Sequence, residues 1–120
     1  MKRVLFLTLL VVQNLYSQSN YPKDYFSSPL DIELILNGNF GELRGSHFHS
    51  GLDFKTKFKE GLTVYSAADG YISRISIKHG GFGKALYIDH PNGYTTVYAH
   101  LKNFSEGIEN YIKKLQYEKK

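Results

Sequence analysis

Two short segments of this 120-residue sequence hold three of its five histidines. The first is Arg44-Gly-Ser-His47-Phe-His49-Ser-Gly51-Leu-Asp53, and the second is Tyr98-Ala-His100. His49 and Asp53 stand four apart with Gly51 between them, a spacing that lets an imidazole and a carboxylate converge where a short strand enters a turn. Nitrogen and oxygen donors of this kind are what a zinc ion takes from a protein, and His100 is a further imidazole that could join them. His47 lies two residues before His49 on the same face of a strand, and with Asp53 the two imidazoles would make a local three-ligand set. Arg44 has two readings. Its planar fork orients a ligand or a substrate carboxylate, or it is a structural arginine paired with Glu42 or in the neighbourhood of Asp53. His79 and His90 read as solvated loop histidines.

Other chemistries lack their parts. His79-Gly80-Gly81 faintly resembles an esterase oxyanion loop, but the chain has no Gly-x-Ser-x-Gly nucleophile elbow. Gly80-Gly81-x-Gly83 is followed by neither Lys-Ser nor Lys-Thr and opens no helix, so it reads as a tight turn between strands and not as a phosphate loop. With no cysteine, a disulfide framework and a thiolate zinc site are both excluded.

The elements that must position these residues are short strands. Ile32–Leu36 precedes the turn Asn37-Gly38, and Leu62–Tyr65 leads into Ala67-Ala68-Asp69-Gly70. Tyr71–Ile77 alternates at period two, with Tyr71, Ile75 and Ile77 on one face. Ala85–Asp89 is a further strand, and Pro91-Asn92-Gly93 turns the chain into Tyr94–Tyr98. Strands this closely spaced, with no helix between them, predict antiparallel β structure. Helical spacing occurs only at the end, where Ser105 is a candidate N-cap before Ile108, Tyr111, Ile112 and Leu115. The reading is therefore a mainly β chain, an antiparallel sheet or sandwich with a C-terminal helix. No internal repeat is present.

The N-terminus carries its own signal. Met1-Lys2-Arg3 is a charged start, Val4–Val12 is apolar, and Ser17-Gln18-Ser19 supplies small residues, the three parts of a secretory signal peptide over residues 1–19. Its apolar run is too short for a permanent span. Residues 20–30, with prolines at 22 and 29, read as an extended arm before a β domain over 31–104 and the helix over 105–120. Removing Lys2 and Arg3 leaves 13 basic against 11 acidic residues. That surplus is too small for nucleic-acid binding, and no basic stripe with interleaved aromatics appears. The expectation is an exported protein of the periplasm, cell envelope or medium, with no stable membrane span after signal cleavage.

From about Gly38 to Phe104 the chain resembles the lysostaphin-like (LytM-type) zinc metallopeptidases, which have the duplicated hybrid motif fold and cut peptide cross-links of bacterial peptidoglycan. Phe40-Gly41-x-x-Arg44 resembles the family's opening strand, and His49-x-Gly51-x-Asp53-Phe54 its first metal motif. Gly61-x-x-Val64, Ala67-Ala68-Asp69-Gly70-x-Ile72, Gly81-Phe82-Gly83, Tyr87-Ile88-x-His90, Gly93-x-x-Thr96 and Tyr98-x-His100-Leu101 follow in the family's order. The resemblance implies that His49 and Asp53 are zinc ligands and that His100 is a catalytic histidine acting on the attacking water. It also implies peptidoglycan stem or cross-bridge peptides as substrate.

The family's second His-x-His pair, which carries its third zinc ligand, does not follow His100. Three accounts remain: a fragment of a longer peptidase, with 105–120 beginning an insertion; a catalytically inactive envelope module that binds wall peptides or regulates a partner hydrolase; or a local substitution by His47. The fragment is the favoured expectation.

Overall fold

A computed structural model describes residues 22–119 of the chain. The expected signal peptide over 1–19 and the first residues of the arm lie outside the described residues. Among the described residues five strands and one helix follow in order: β1 Leu36–Gly38, β2 Asp53–Phe54, β3 Tyr71–Ile77, β4 Lys84–Asp89, β5 Thr95–Tyr98 and α1 Glu106–Glu118. β1 and β2 form a two-stranded antiparallel sheet, and β3-β4-β5 form an antiparallel meander. The structure is thus mainly antiparallel β with a C-terminal helix, as the strand spacing predicts.

Turn chemistry sets the meander. After β4, Gly93 N–H donates to the His90 carbonyl at 2.9 Å. Gly93 itself is left-handed, with φ +84. This is the three-residue hairpin loop in which a turn is followed by a residue that glycine fills best.

Two strand expectations need correction. The expected strand Ile32–Leu36 and turn Asn37-Gly38 give way to one strand, β1, which takes in only Leu36 of the former and both residues of the latter, with Gly38 opposite Asp53. Leu62–Tyr65 forms no full strand, making one bridge from Val64 to Leu30. A third difference concerns β3. Ile72 pairs with Ile88 and Arg74 with Tyr87, so Ser73 is an extra residue opposite no partner. Such a bulge shifts the alternation by one. Ile72, not Tyr71, therefore shares a face with Ile75 and Ile77, together with Leu86 and Ile88 of β4. Tyr71 falls on the opposite face with Arg74, whose guanidinium lies 4.9 Å from the Tyr87 ring centroid.

Helix α1 faces the isoleucine side of the sheet across an open groove lined by Ile72, Ile75, Ile77, Tyr111, Ile112 and Leu115. Glu109 fixes its first turn: Oε1 accepts from the Phe104 N–H at 3.1 Å and from Lys84 Nζ at 3.2 Å. Ser105 occupies the N-cap position in extended conformation but makes no side-chain cap bond, and Glu109 instead ties the entering chain at Phe104 to the first turn. The Phe104 N–H first, and then Lys84, hold the Glu109 carboxyl below its ordinary value. Phe104 is buried beneath this junction.

The described part of the arm is stitched to the domain. Ser27 N–H donates to the Ala67 carbonyl at 2.7 Å, and Tyr65 N–H to the Pro29 carbonyl at 2.9 Å. Phe26 then lays its ring edge-on to His90, with centroids 5.3 Å apart.

Candidate metal centre

Residues 41–49 fold as a tight hairpin between β1 and β2. Gly41 N–H donates to the His49 carbonyl at 2.7 Å, His49 N–H to the Glu42 carbonyl at 2.8 Å, and Arg44 N–H to the His47 carbonyl at 2.9 Å. Leu43 and Phe48 are bridge partners across it. Pair alternation then sets Glu42, Arg44 and His49 on the side away from Leu43 and Phe48. Asp53 arrives from the adjoining start of β2.

Four side chains meet in a line. Glu42 Oε2 accepts from Arg44 Nη2 at 3.0 Å, and the same nitrogen donates to Asp53 Oδ2 at 2.9 Å. Asp53 Oδ1 lies 3.2 Å from His49 Nε2, and His49 Nδ1 lies 2.9 Å from the Asn39 carbonyl. The bond to Asp53, opposed in part by desolvation and helped by Glu42, raises the Arg44 pKa further above its ordinary value. Gly38 lies beside this ion pair. A Cβ there would collide with Arg44 Nη2 and come within 2.6 Å of Asp53 Oδ2. Sequence reading took Gly38 for a turn residue and missed that it leaves room for the pair. The signal was its register opposite Asp53, which becomes visible only once β1 and β2 are paired.

The donor set fits a zinc ion at two positions. The Asn39 carbonyl can only accept, so Nδ1 of His49 is the donor there and Nε2 is the nitrogen left to face Asp53. An imidazole nitrogen and a carboxylate oxygen attract each other only with a proton or a metal ion between them. Two ligands on a tetrahedral zinc with bonds of about 2.05 Å are separated by about 3.3 Å, close to the 3.2 Å found here. Among the described residues no three His, Cys, Asp or Glu side chains are gathered to hold a metal. His47 and His100 therefore do not complete the set in this structure. His47 Nδ1 lies beside Ser46 Oγ at 3.4 Å, at the end of the hairpin turn.

His100 lies two residues beyond the end of β5 with a left-handed backbone, φ +56. Its N–H donates to the Phe82 carbonyl, and the next N–H, of Leu101, to the Lys84 carbonyl, both at 3.0 Å. The imidazole-bearing residue is exposed, as is His79 in the glycine loop.

His90 differs from its expectation as a solvated histidine: it is 5% exposed. Nδ1 donates to the Asp69 carbonyl at 2.8 Å, and Nε2 lies 2.9 Å from Thr96 Oγ1, which is 3.0 Å from the Tyr98 hydroxyl. That hydroxyl accepts the Ala67 N–H at 2.7 Å. With both ring nitrogens bonded and the arm aromatics covering it, His90 is a structural junction. The covering residues, Tyr25 and Phe26, are more than sixty positions away in sequence, which is why local reading placed it in solvent.

Comparison with known proteins adds kinship to this geometry. The sequence profile of peptidase family M23 matches residues 47–116. The chain is 40% identical over 62 residues to the "DD-carboxypeptidase/endopeptidase Mpg" of Neisseria meningitidis serogroup B and to that of Neisseria gonorrhoeae, covering 52% of this chain and 14% of theirs. It is 36% identical over 53 residues to an "Uncharacterized metalloprotease" of Haemophilus influenzae, covering 44% of this chain and 11% of that one. The matched part thus spans less than a sixth of these relatives. No solved structure matches. Gly38, which leaves room for the ion pair, and Arg44, which binds Asp53, lie before the span matched by the profile.

Proposed function

The chain belongs to peptidase family M23, in its LytM-type branch, and from that membership we propose that it is part of a zinc metalloendopeptidase hydrolysing peptide cross-links of bacterial peptidoglycan. One observation carries the metal assignment. His49 Nε2 and Asp53 Oδ1 face each other at 3.2 Å while the remaining polar atoms of both groups are held by Asn39 and Arg44. The endopeptidase activity in the name of the Neisseria relatives agrees in reaction class.

Bound between His49 and Asp53, zinc would supply Lewis acidity toward a peptide carbonyl and acidity to a coordinated water. The protein's own residues do the rest. The Asn39 carbonyl fixes the tautomer that leaves Nε2 free, the outer support usual for a ligating histidine. Arg44 occupies Oδ2 of Asp53, so that Oδ1 is the oxygen left for a ligand. Glu42 holds Arg44 in turn. His100 is the proton carrier, accepting a proton from the attacking water and returning it to the leaving amine. A catalytic zinc usually takes three protein ligands, and among the described residues no third donor converges with His49 and Asp53. The basic and apolar N-terminal segment supports export to the periplasm, envelope or medium. Among the described residues no helix is long and apolar enough to cross a membrane.

A second reading rests on the same two-donor count. With only His49 and Asp53 converging, the chain would serve as a silent envelope module that binds wall peptides. Zinc stoichiometry and cleavage of cross-linked wall peptides separate the two. The 120-residue chain is expected to hold zinc weakly and to cleave poorly. Extended by a segment carrying His-x-His, it should bind zinc tightly and cleave, with His100→Ala removing most of the rate and leaving the zinc. Equal zinc content in wild type and His49→Ala would overturn the metal site. An extended chain that binds zinc without cleaving would favour the silent module.

A further inference from the structure

Beyond β2 the chain leaves the candidate metal centre through Lys55-Thr56-Lys57-Phe58-Lys59. Lys55 N–H still donates to the Ile35 carbonyl at 2.8 Å, and the loop then closes with Lys59 N–H on the Thr56 carbonyl at 3.0 Å. Both central residues have positive φ, Lys57 at +51 and Phe58 at +61. This is the mirror-image turn that glycine, asparagine and aspartate normally fill. A lysine and a phenylalanine adopt it reluctantly, because Cβ crowds the backbone there.

The turn holds the Phe58 ring wholly in water, at 106% of its reference exposure. Single exposed apolar residues are ordinary. A fully exposed phenylalanine fixed in a disfavoured turn between three lysines is not explained by packing within the chain. Lys55, Lys57 and Lys59 are all exposed. None of them takes part in an ion pair among the described residues. The adjoining acid, Glu60, is paired with Lys102 at 3.0 Å.

We propose that residues 55–59 are a membrane-contact loop that docks this domain on an anionic phospholipid surface. Phe58 enters the boundary between headgroups and acyl chains, and the three lysines sit among the headgroups. The two attractions belong together: apolar area drives the ring out of water, and each nearby lysine adds an electrostatic attraction to anionic lipid. A soluble anionic polymer would use the lysines and leave the ring in water, so Phe58 is what favours a bilayer. One ring and three charges give reversible, salt-sensitive attachment. Phe58 is five residues from Asp53, and at about 3.5 Å per residue the chain keeps it within about 18 Å of the candidate metal centre. Docking would therefore hold that centre close to the bilayer. The loop's chemistry is independent of the peptidase reading and is tested without any activity.

The chain contains no tryptophan, so F58W makes the loop its own reporter. The full chain carrying F58W is titrated with vesicles of phosphatidylglycerol and phosphatidylcholine, and separately with phosphatidylcholine alone. The expected result is blue-shifted emission, quenched by brominated acyl chains, with the anionic vesicles only. Raising salt to about 0.5 M should weaken the partition by about tenfold or more. K55E/K57E/K59E in the same background should abolish the shift. Attachment through the apolar N-terminal residues alone would leave the indole in water. Unshifted emission with anionic vesicles at low salt overturns the proposal, as does an equal shift with phosphatidylcholine alone. So does an F58S chain that binds inorganic polyphosphate as well as wild type while F58W shows no response to vesicles, since the lysines would then serve a soluble polyanion.

Discussion

Asp53 divides its two oxygens between different neighbours, Arg44 on one side and His49 on the other. A carboxylate free to rotate would present either oxygen to a metal, so the arginine converts a flexible ligand into an aimed one. Arg44→Lys keeps the charge but loses the guanidinium whose Nη2 bridges Glu42 and Asp53. It is expected to lower zinc affinity by about 10- to 100-fold, the usual cost of losing a group that supports a ligand, measured by competition with a chromogenic chelator. Gly38→Ala should do the same by a different route, since its methyl displaces the ion pair. The overpacking should also cost about 1–3 kcal/mol in urea denaturation. His49→Ala and Asp53→Ala should abolish zinc binding, whereas His79→Ala should leave it unchanged. If Arg44→Lys binds zinc as tightly as wild type, the arginine does not aim the ligand. The spacing of His49 and Asp53 was readable from sequence because both belong to one local turn. The part played by Gly38 was not, because it depends on a cross-strand neighbour fifteen residues away.

At the level of elements, the meander was legible because each of its strands carries its own alternation and is bounded by turn residues. The β3 bulge was not. An extra residue shows only against the partner strand, and Ser73 breaks the parity of a run that looks regular by itself. Helix α1 and its N-cap residue Ser105 were foreseen from apolar spacing, but the side-chain bonds at this end come from Glu109. His90 was misplaced because its cover comes from the distant arm. Phe26→Ala should uncover it and cost about 1.5–3 kcal/mol of stability, through lost ring burial and edge-to-face contact, read by thermal or urea unfolding. A second element-level prediction concerns Asp89, at the end of β4. The Thr95 hydroxyl donates to it at 2.7 Å. This bond first, then those from Ser73 and Tyr71, hold its carboxyl below the ordinary 3.8. A depressed folded value means stability present above the ordinary pKa and lost as pH falls through the folded one. Thr95→Val should therefore destabilise more at pH 7 than at about pH 3. An equal loss at both would show that Asp89 contributes no acid sensitivity.

For the whole molecule, the buried hydrophobic residues among those described are Ala67, Ala85 and Phe104. A domain with so small a core draws a large share of its stability from whatever binds its folded form. Zinc at a hundredfold excess over its dissociation constant would add about 2.7 kcal/mol. Thermal unfolding of wild type should rise with zinc and fall back with chelator, while His49→Ala should respond to neither; matching shifts in both would place the metal elsewhere. His100 adds the opposite entry to this balance. Its left-handed backbone, pinned at two successive amides, is a conformation that a side chain with a Cβ resists and glycine accepts. Selection for durability alone would put glycine there. His100→Gly is expected to raise stability by about 0.5–1 kcal/mol while abolishing hydrolysis in the His-x-His-extended chain. Such a divergence would mark position 100 as one where robustness has been given up for chemistry.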